Sequence, residues 1–161
     1  LQVGIYKGIV ALSNLLASYM NLCMDDPAGF QQTCYRFQAI ADAFHLDALH
    51  PGILLSCYLI MAQGWVSLGM VDKALDILEK YTILATSDIY PLRLHGDSYF
   101  SLLDGWFDGA LSPGEYPPRK ESIIRRSMAQ ALTENPAFAA LAEEPRFQSM
   151  AARLKNNEEG Q

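Results

Sequence analysis

Apolar residues recur three and four positions apart along almost the whole chain, and no candidate strand is longer than four residues. A period near 3.6 lines up one face of a helix, whereas a strand needs a period of two. The spacing therefore predicts an all-α protein, and the short turns between its helical stretches favour antiparallel hairpins. At 161 residues the chain has the length of one domain, enough to bury about 70% of its unfolded surface. The expected layout is a single helical domain over residues 1–155, with about 6–8 helices, and a polar, disordered tail at 156–161.

Composition narrows the function classes. Half the residues are hydrophobic, which excludes intrinsic disorder. Twelve Lys and Arg face 18 Asp and Glu, for a net charge of −6, and such a balance argues against direct contact with nucleic acid. The three cysteines, Cys23, Cys34 and Cys57, form no CxxC pair and sit in apolar helical stretches, as expected of reduced, buried thiols in a cytoplasmic protein. The chain begins at Leu1 without a methionine, as an excised fragment would. Residues 1–23 are apolar enough to raise the question of a membrane helix. Lys7, Asn14, Ser18 and Asn21, however, are spaced 7, 4 and 3 apart and stack on one side, so an amphipathic helix of a soluble protein is expected there, with no membrane partner.

Within that helix Ile5, Ile9, Leu12, Leu16, Tyr19 and Cys23 form the predicted inward seam. Asp26 and Pro27 then cap and open a helix over 27–44 that aligns Phe30, Cys34, Phe37, Ala41 and Phe44. A helix over 52–68, apolar nearly all round, is the expected centre of the domain. Gly69 ends it, and a helix over 71–85 follows with Val71, Leu75, Leu78 and Thr82 on one face. Beyond an interrupted connector, Asp97 is expected to cap a helix over 98–108 that buries Tyr99, Leu103, Trp106 and Phe107. A long loop at 109–118 precedes a helix over 118–133 with Ile123, Ile124, Met128 and Leu132 inward. Pro136-x-Phe138-x-x-Leu141 recurs nine residues later as Pro145-x-Phe147-x-x-Met150, a pair of short helices suited to closing one end of the core.

Residues 55–85 resemble one tetratricopeptide repeat, a helix-turn-helix unit, in Tyr58-x-x-Met61-Ala62-x-x-Trp65, the turn at Gly69, and Ala74-x-x-x-Leu78. Small residues at Ala62 and Ala74 let two helices approach closely, while Tyr58, Trp65 and Leu78 fill the space around the crossing. Tyr81 and Thr86 depart from the pattern, standing where a small residue and a proline are usual. The resemblance implies a right-handed superhelical array of hairpins, and a groove-facing surface carried onto Ser56, Leu59, Gln63, Val66 and Ser67. Read from the residues alone, Ser56, Gln63 and Ser67 are the polar positions of that helix and fall 7 and 4 apart on one face. They need hydrogen-bond partners, either in a wet groove or ligand, or from helix carbonyls and a neighbouring helix.

A second, looser resemblance covers residues 92–155. Leu94-His95-Gly96-Asp97, Tyr99-Phe100, Leu102-Leu103-Asp104, Trp106-Phe107, Asn135-Pro136-Ala137-Phe138 and Pro145-Arg146-Phe147 look like the end of certain bacterial helix-turn-helix transcriptional regulators. It implies a sensing or interaction domain whose DNA-binding part lies outside this chain.

No catalytic chemistry stands out. His45, His50 and His95 offer no metal-ligand spacing, the acidic pairs Asp25-Asp26 and Glu143-Glu144 read as capping and solvated residues, and no phosphate-cradling or nucleophile-elbow motif occurs. Neither a metal, a cofactor nor an enzymatic activity is expected. Arg119, Lys120, Arg125 and Arg126 read as a solvated basic face, or otherwise as a patch for an acidic partner. Arg93, beside Tyr90 and Pro91, can anchor a carboxylate or bond exposed helix-end carbonyls. The expected role is therefore a sensor or interaction domain of a bacterial regulator, homodimeric, binding a peptide, a small-molecule effector or another protein. The alternative is a constitutive tetratricopeptide-like scaffold with no small ligand.

Overall fold

The computed structural model describes residues 1–110 and 120–158, and among them there are eight α-helices, one 3-10 helix and no strand. The helices are α1 (Gln2–Leu22), α2 (Pro27–Ala43), α3 (Leu46–Leu49), α4 (Pro51–Ser67), α5 (Val71–Ala85), α6 (Leu103–Ala110), α7 (Glu121–Thr133) and α8 (Pro145–Asn157), with the 3-10 helix at Pro136–Leu141. The all-α fold read from periodicity is correct. The expected loop at 109–118 falls mostly outside the described residues, as does the end of the chain. α8 itself runs through Asn157, so Asn156 and Asn157 are helical rather than part of a disordered tail.

α4 is the hub. It packs against α1, α2, α3, α5 and the 3-10 helix, which is why its sequence is apolar nearly all round, apart from the face of Ser56, Gln63 and Ser67. Its start is set by Pro51 in the first turn and by His50, whose Nδ1 accepts the Ile53 amide at 3.3 Å. Its end is set by Gly69 at φ 71, with the Gly69 and Met70 amides donating to the carbonyls of Val66 and Trp65. That paired closure needs a left-handed residue, and glycine adopts it without strain. The α4–α5 hairpin buries Ala62, Ala74 and Leu78 completely, so the close crossing expected of the small residues is present.

A second close approach, between α2 and α4, was not legible in the sequence. A Cβ at Gly64 would collide with the Phe30 ring, which is itself fully buried and edge-on to Trp65 at 5.0 Å between centroids. Between α2 and α4 the connector is also more ordered than expected. His45 takes φ 48 and starts the single-turn α3, whose Leu46 and Leu49 are buried.

α1 is phased differently from the expected seam. Its buried side is Tyr6, Ile9, Ser13, Ala17 and Met20, while Ile5, Leu12 and Tyr19 are exposed. The helix has two apolar stripes, and spacing alone cannot say which one meets the core. Lys7, Asn14, Ser18 and Asn21 are exposed as expected. α1 is also the one described helix long and apolar enough to cross a membrane, by length and composition only.

The remaining elements close the far side. Asp97 caps a turn rather than a helix, since its Oδ1 accepts the Tyr99 and Phe100 amides and α6 begins only at Leu103. Tyr99 is accordingly exposed, while Phe100, Leu103 and Phe107 are buried. In α7 Leu132 is buried but Ile123 is exposed, against expectation. Arg125 is not part of a solvated face: it lies over the Tyr90 ring at 4.1 Å and donates to Glu121 Oε1 and to Asn157 Oδ1. The nine-residue repeat docks its side chains as read, with Phe138, Leu141, Phe147 and Met150 all buried and the two phenylalanine rings 6.4 Å apart, but its second unit opens the 13-residue α8 rather than a short helix. α8 lies against α5, joined at the rim by Arg146–Asp76 and Arg153–Glu79 ion pairs of 2.9 Å each. Such exposed pairs set register more than stability.

Candidate functional site

α2 and α5 flank a long groove and run in the same direction. Lys73 Nζ donates to Gln31 Oε1 at 3.2 Å and Lys80 Nζ to Gln38 Oε1 at 3.1 Å. In each pair the partners are 42 positions apart, so seven residues along one helix match seven along the other. Two helical turns put the two lysines roughly 10.5 Å apart along the groove.

The groove has three connected recesses. The first, about 390 Å³, has Cys34, Trp65 and Ile77 among its walls and Lys73 and Lys80 at its edge. The second, about 590 Å³, shares Lys80 with it and adds Asp42, Asp47, Leu54 and Tyr58. The third, about 450 Å³, shares Asp47, Leu84 and Ser87 with the second and reaches Tyr90, Arg93 and His95. Each volume falls in the range of small-ligand and peptide sites.

Side chains fix the groove's chemistry. Lys73 Nζ stands 4.5 Å from the centroid of the Trp65 ring, an attraction between cation and ring quadrupole that holds the ammonium over the floor. Burial pushes the Tyr58 phenol up to about 12, and the nearby Asp42 and Asp47 carboxylates push the same way. Tyr58 thus stays a hydrogen-bond donor at neutral pH. The Cys34 thiol is pushed up to about 12 as well, chiefly by burial and then by Cys23, which leaves it protonated and a poor nucleophile. The groove therefore offers ammonium and amide groups along one stretch, where Asp76 is paired with Arg146, then the Tyr58 phenol beside the Asp42 and Asp47 carboxylates along the next, with an apolar floor beneath. That combination is suited to binding, and its cysteine is not set up for covalent chemistry.

The sequence-predicted site is only partly on this groove. Ser56, Leu59, Gln63, Val66 and Ser67 do share one partly exposed face of α4. At 100° per residue, however, Ser56, Gln63 and Ser67 lie on the opposite side of α4 from Leu54, Tyr58 and Trp65, which are the residues that line the groove. Ser56 Oγ donates to the Gly52 carbonyl at 3.0 Å, so helix back-bonding satisfies it. Arg93 is exposed and lines the third recess, apart from those five. Sequence reasoning missed Gln31, Gln38, Lys73 and Lys80. Their matching seven-residue steps were visible, but only the parallel placement of α2 and α5 gives that spacing a meaning.

Among the described residues no group of three His, Cys, Asp or Glu side chains is placed to hold a metal ion. Compared with protein-family models, curated proteins and solved structures, the chain matches none of them.

Proposed function

We propose that this chain is a recognition domain that takes an extended peptide segment in the α2–α5 groove. The observation that carries the reading is the pair of lysines, each steadied by a glutamine across the groove and set two turns apart over an apolar floor. A peptide in the polyproline II form rises about 3.1 Å per residue with three residues per turn, so acidic side chains three residues apart share one face and stand roughly 9.3 Å apart, close to the roughly 10.5 Å between the lysines. Asp42 and Asp47, further along, favour a basic residue at the other end of the same peptide. The run of recesses, from Gln31 to Asp42 along α2 and on to Arg93 in the connector, suits a polypeptide better than a compact metabolite.

Within this reading the domain serves as the sensing or interaction module of a bacterial transcriptional regulator. The support is the resemblance of residues 92–155 to the ends of such proteins, and free, buried cysteines fit a cytoplasmic setting. Occupancy of the groove would bias how α2 sits against α5, and that bias would reach an attached DNA-binding module.

Calorimetric titration with a peptide array tests the groove. Peptides with acidic residues three apart and a basic residue beyond them should bind, charge-reversed versions should not, and Lys73→Glu with Lys80→Glu should abolish binding while leaving helicity intact. Binding that is indifferent to those two substitutions, or absent across the array, would sink the proposal.

A further inference from the structure

The exposed side of α1 carries an apolar stripe that no described residue covers. Ile5, Leu12, Leu15, Tyr19 and Leu22 are 38%, 42%, 67%, 55% and 78% exposed. With Gly8 included, the steps from Ile5 to Leu22 are 3, 4, 3, 4 and 3. That alternation of three and four is the heptad spacing of a supercoiled seam, whose partner is another helix with the same repeat.

Two glycines point to the same occupant. Gly4 and Gly8 sit inside a helix, where glycine weakens it, and a Cβ at either position would meet nothing within 4 Å. No packing among the described residues explains them. Both are exposed beside or on the stripe, where missing side chains let a second backbone come close.

Charge and area decide which helix that is. Lys7 is the sole charged side chain in Gln2–Leu22, and it is drawn aside over the Trp106 ring at 5.2 Å. A chain of net charge −6 thus approaches its own copy with least repulsion along α1. The five exposed side chains amount to roughly 500 Å² per copy, so two stripes together reach roughly the 1,000 Å² that a specific interface requires. The stripe is self-complementary, as a two-fold interface must be. We infer that α1 is a homodimer seam, with the Ile5–Leu22 stripes of two copies packed against each other. This inference is independent of the groove.

Sedimentation equilibrium and light scattering on the 161-residue chain test it. The expected result is a concentration-dependent mass approaching twice 17.9 kDa. Leu12→Glu with Leu15→Glu should return a single 17.9 kDa species with unchanged far-UV circular dichroism. Tyr35→Glu, which alters an exposed aromatic on α2 outside the stripe, should leave the dimer intact. Gly8→Gln provides a variant that favours the helix, and by obstructing close approach it should weaken dimerisation by about tenfold or more. A chain monomeric at every concentration, or a dimer that survives the double glutamate variant, overturns the inference. So does a chain monomeric in buffer that floats with phosphatidylcholine–phosphatidylglycerol vesicles, which would give the stripe to a membrane surface.

Discussion

The Tyr81 hydroxyl donates a 2.8 Å hydrogen bond to the carbonyl of Met128, joining the inner face of α5 to α7 across 47 residues of chain. Tyr81 is fully buried, and it occupies the position where a tetratricopeptide pattern would carry a small residue. The large side chain there reaches α7 at Met128, while α7 packs mainly against α8. Tyr81→Phe keeps the ring and loses the bond, for an expected cost of about 1 kcal/mol. Tyr81→Ala also opens a cavity and should cost about 3–5 kcal/mol. Urea denaturation of the two variants checks the order; equal losses would mean the hydroxyl and the ring are not separable contributions.

Stability should fall on the alkaline side, beginning near pH 9. Burial raises both the Cys34 and the Cys57 thiols from 9.0 to about 12 in the folded chain. Between those values the unfolded chain has released protons that the folded chain still holds, so stability decreases as pH rises. Below pH 9 the contribution is fully present. The slope is at most about 1.4 kcal/mol per pH unit for each thiol, and Tyr58 adds to it above pH 10. Replacing Cys34 and Cys57 with alanine should flatten the decline in denaturant midpoints between about pH 9 and about pH 11. An unchanged slope in that double variant would assign the loss to other groups.

Gly64→Ala is expected to destabilise the chain although alanine is the better helix former. The added methyl would run into the Phe30 ring, which cannot retreat because it is fully buried and braced by Trp65. Overpacking of this kind costs about 1–3 kcal/mol. Gly64→Ala with Phe30→Leu should recover part of that loss, and a thermal melt showing no recovery would place the strain elsewhere.

Ser13→Ala should raise stability. The Ser13 hydroxyl is completely buried on the inner face of α1 and finds no hydrogen-bond partner among the described residues. Removing an unpaired buried hydroxyl recovers about 1 kcal/mol or more, and alanine adds helix propensity. A lower melting point for Ser13→Ala would mean that the hydroxyl is satisfied in solution.

The sequence by itself determined the all-α class, most of the helices, the α4–α5 hairpin and the closing repeat, but neither the single-turn α3 nor the start of α6 at Leu103. Those features are local: Gly69 supplies a backbone conformation, Ala62 and Ala74 permit a close crossing, and Pro136 and Pro145 open the 3-10 helix and α8, whose phenylalanines pair. Tertiary structure alone decided which stripe of α1 faces inward, that Gly64 receives Phe30, and that Arg125 lies over Tyr90. It also placed the groove on the Tyr58 side of α4 rather than the Gln63 side, with lysines and glutamines 42 positions apart as its edges. The physical reason is one of range. Periodicity shows which residues share a face of one helix, while the neighbour that face meets depends on how all the helices fill a common core.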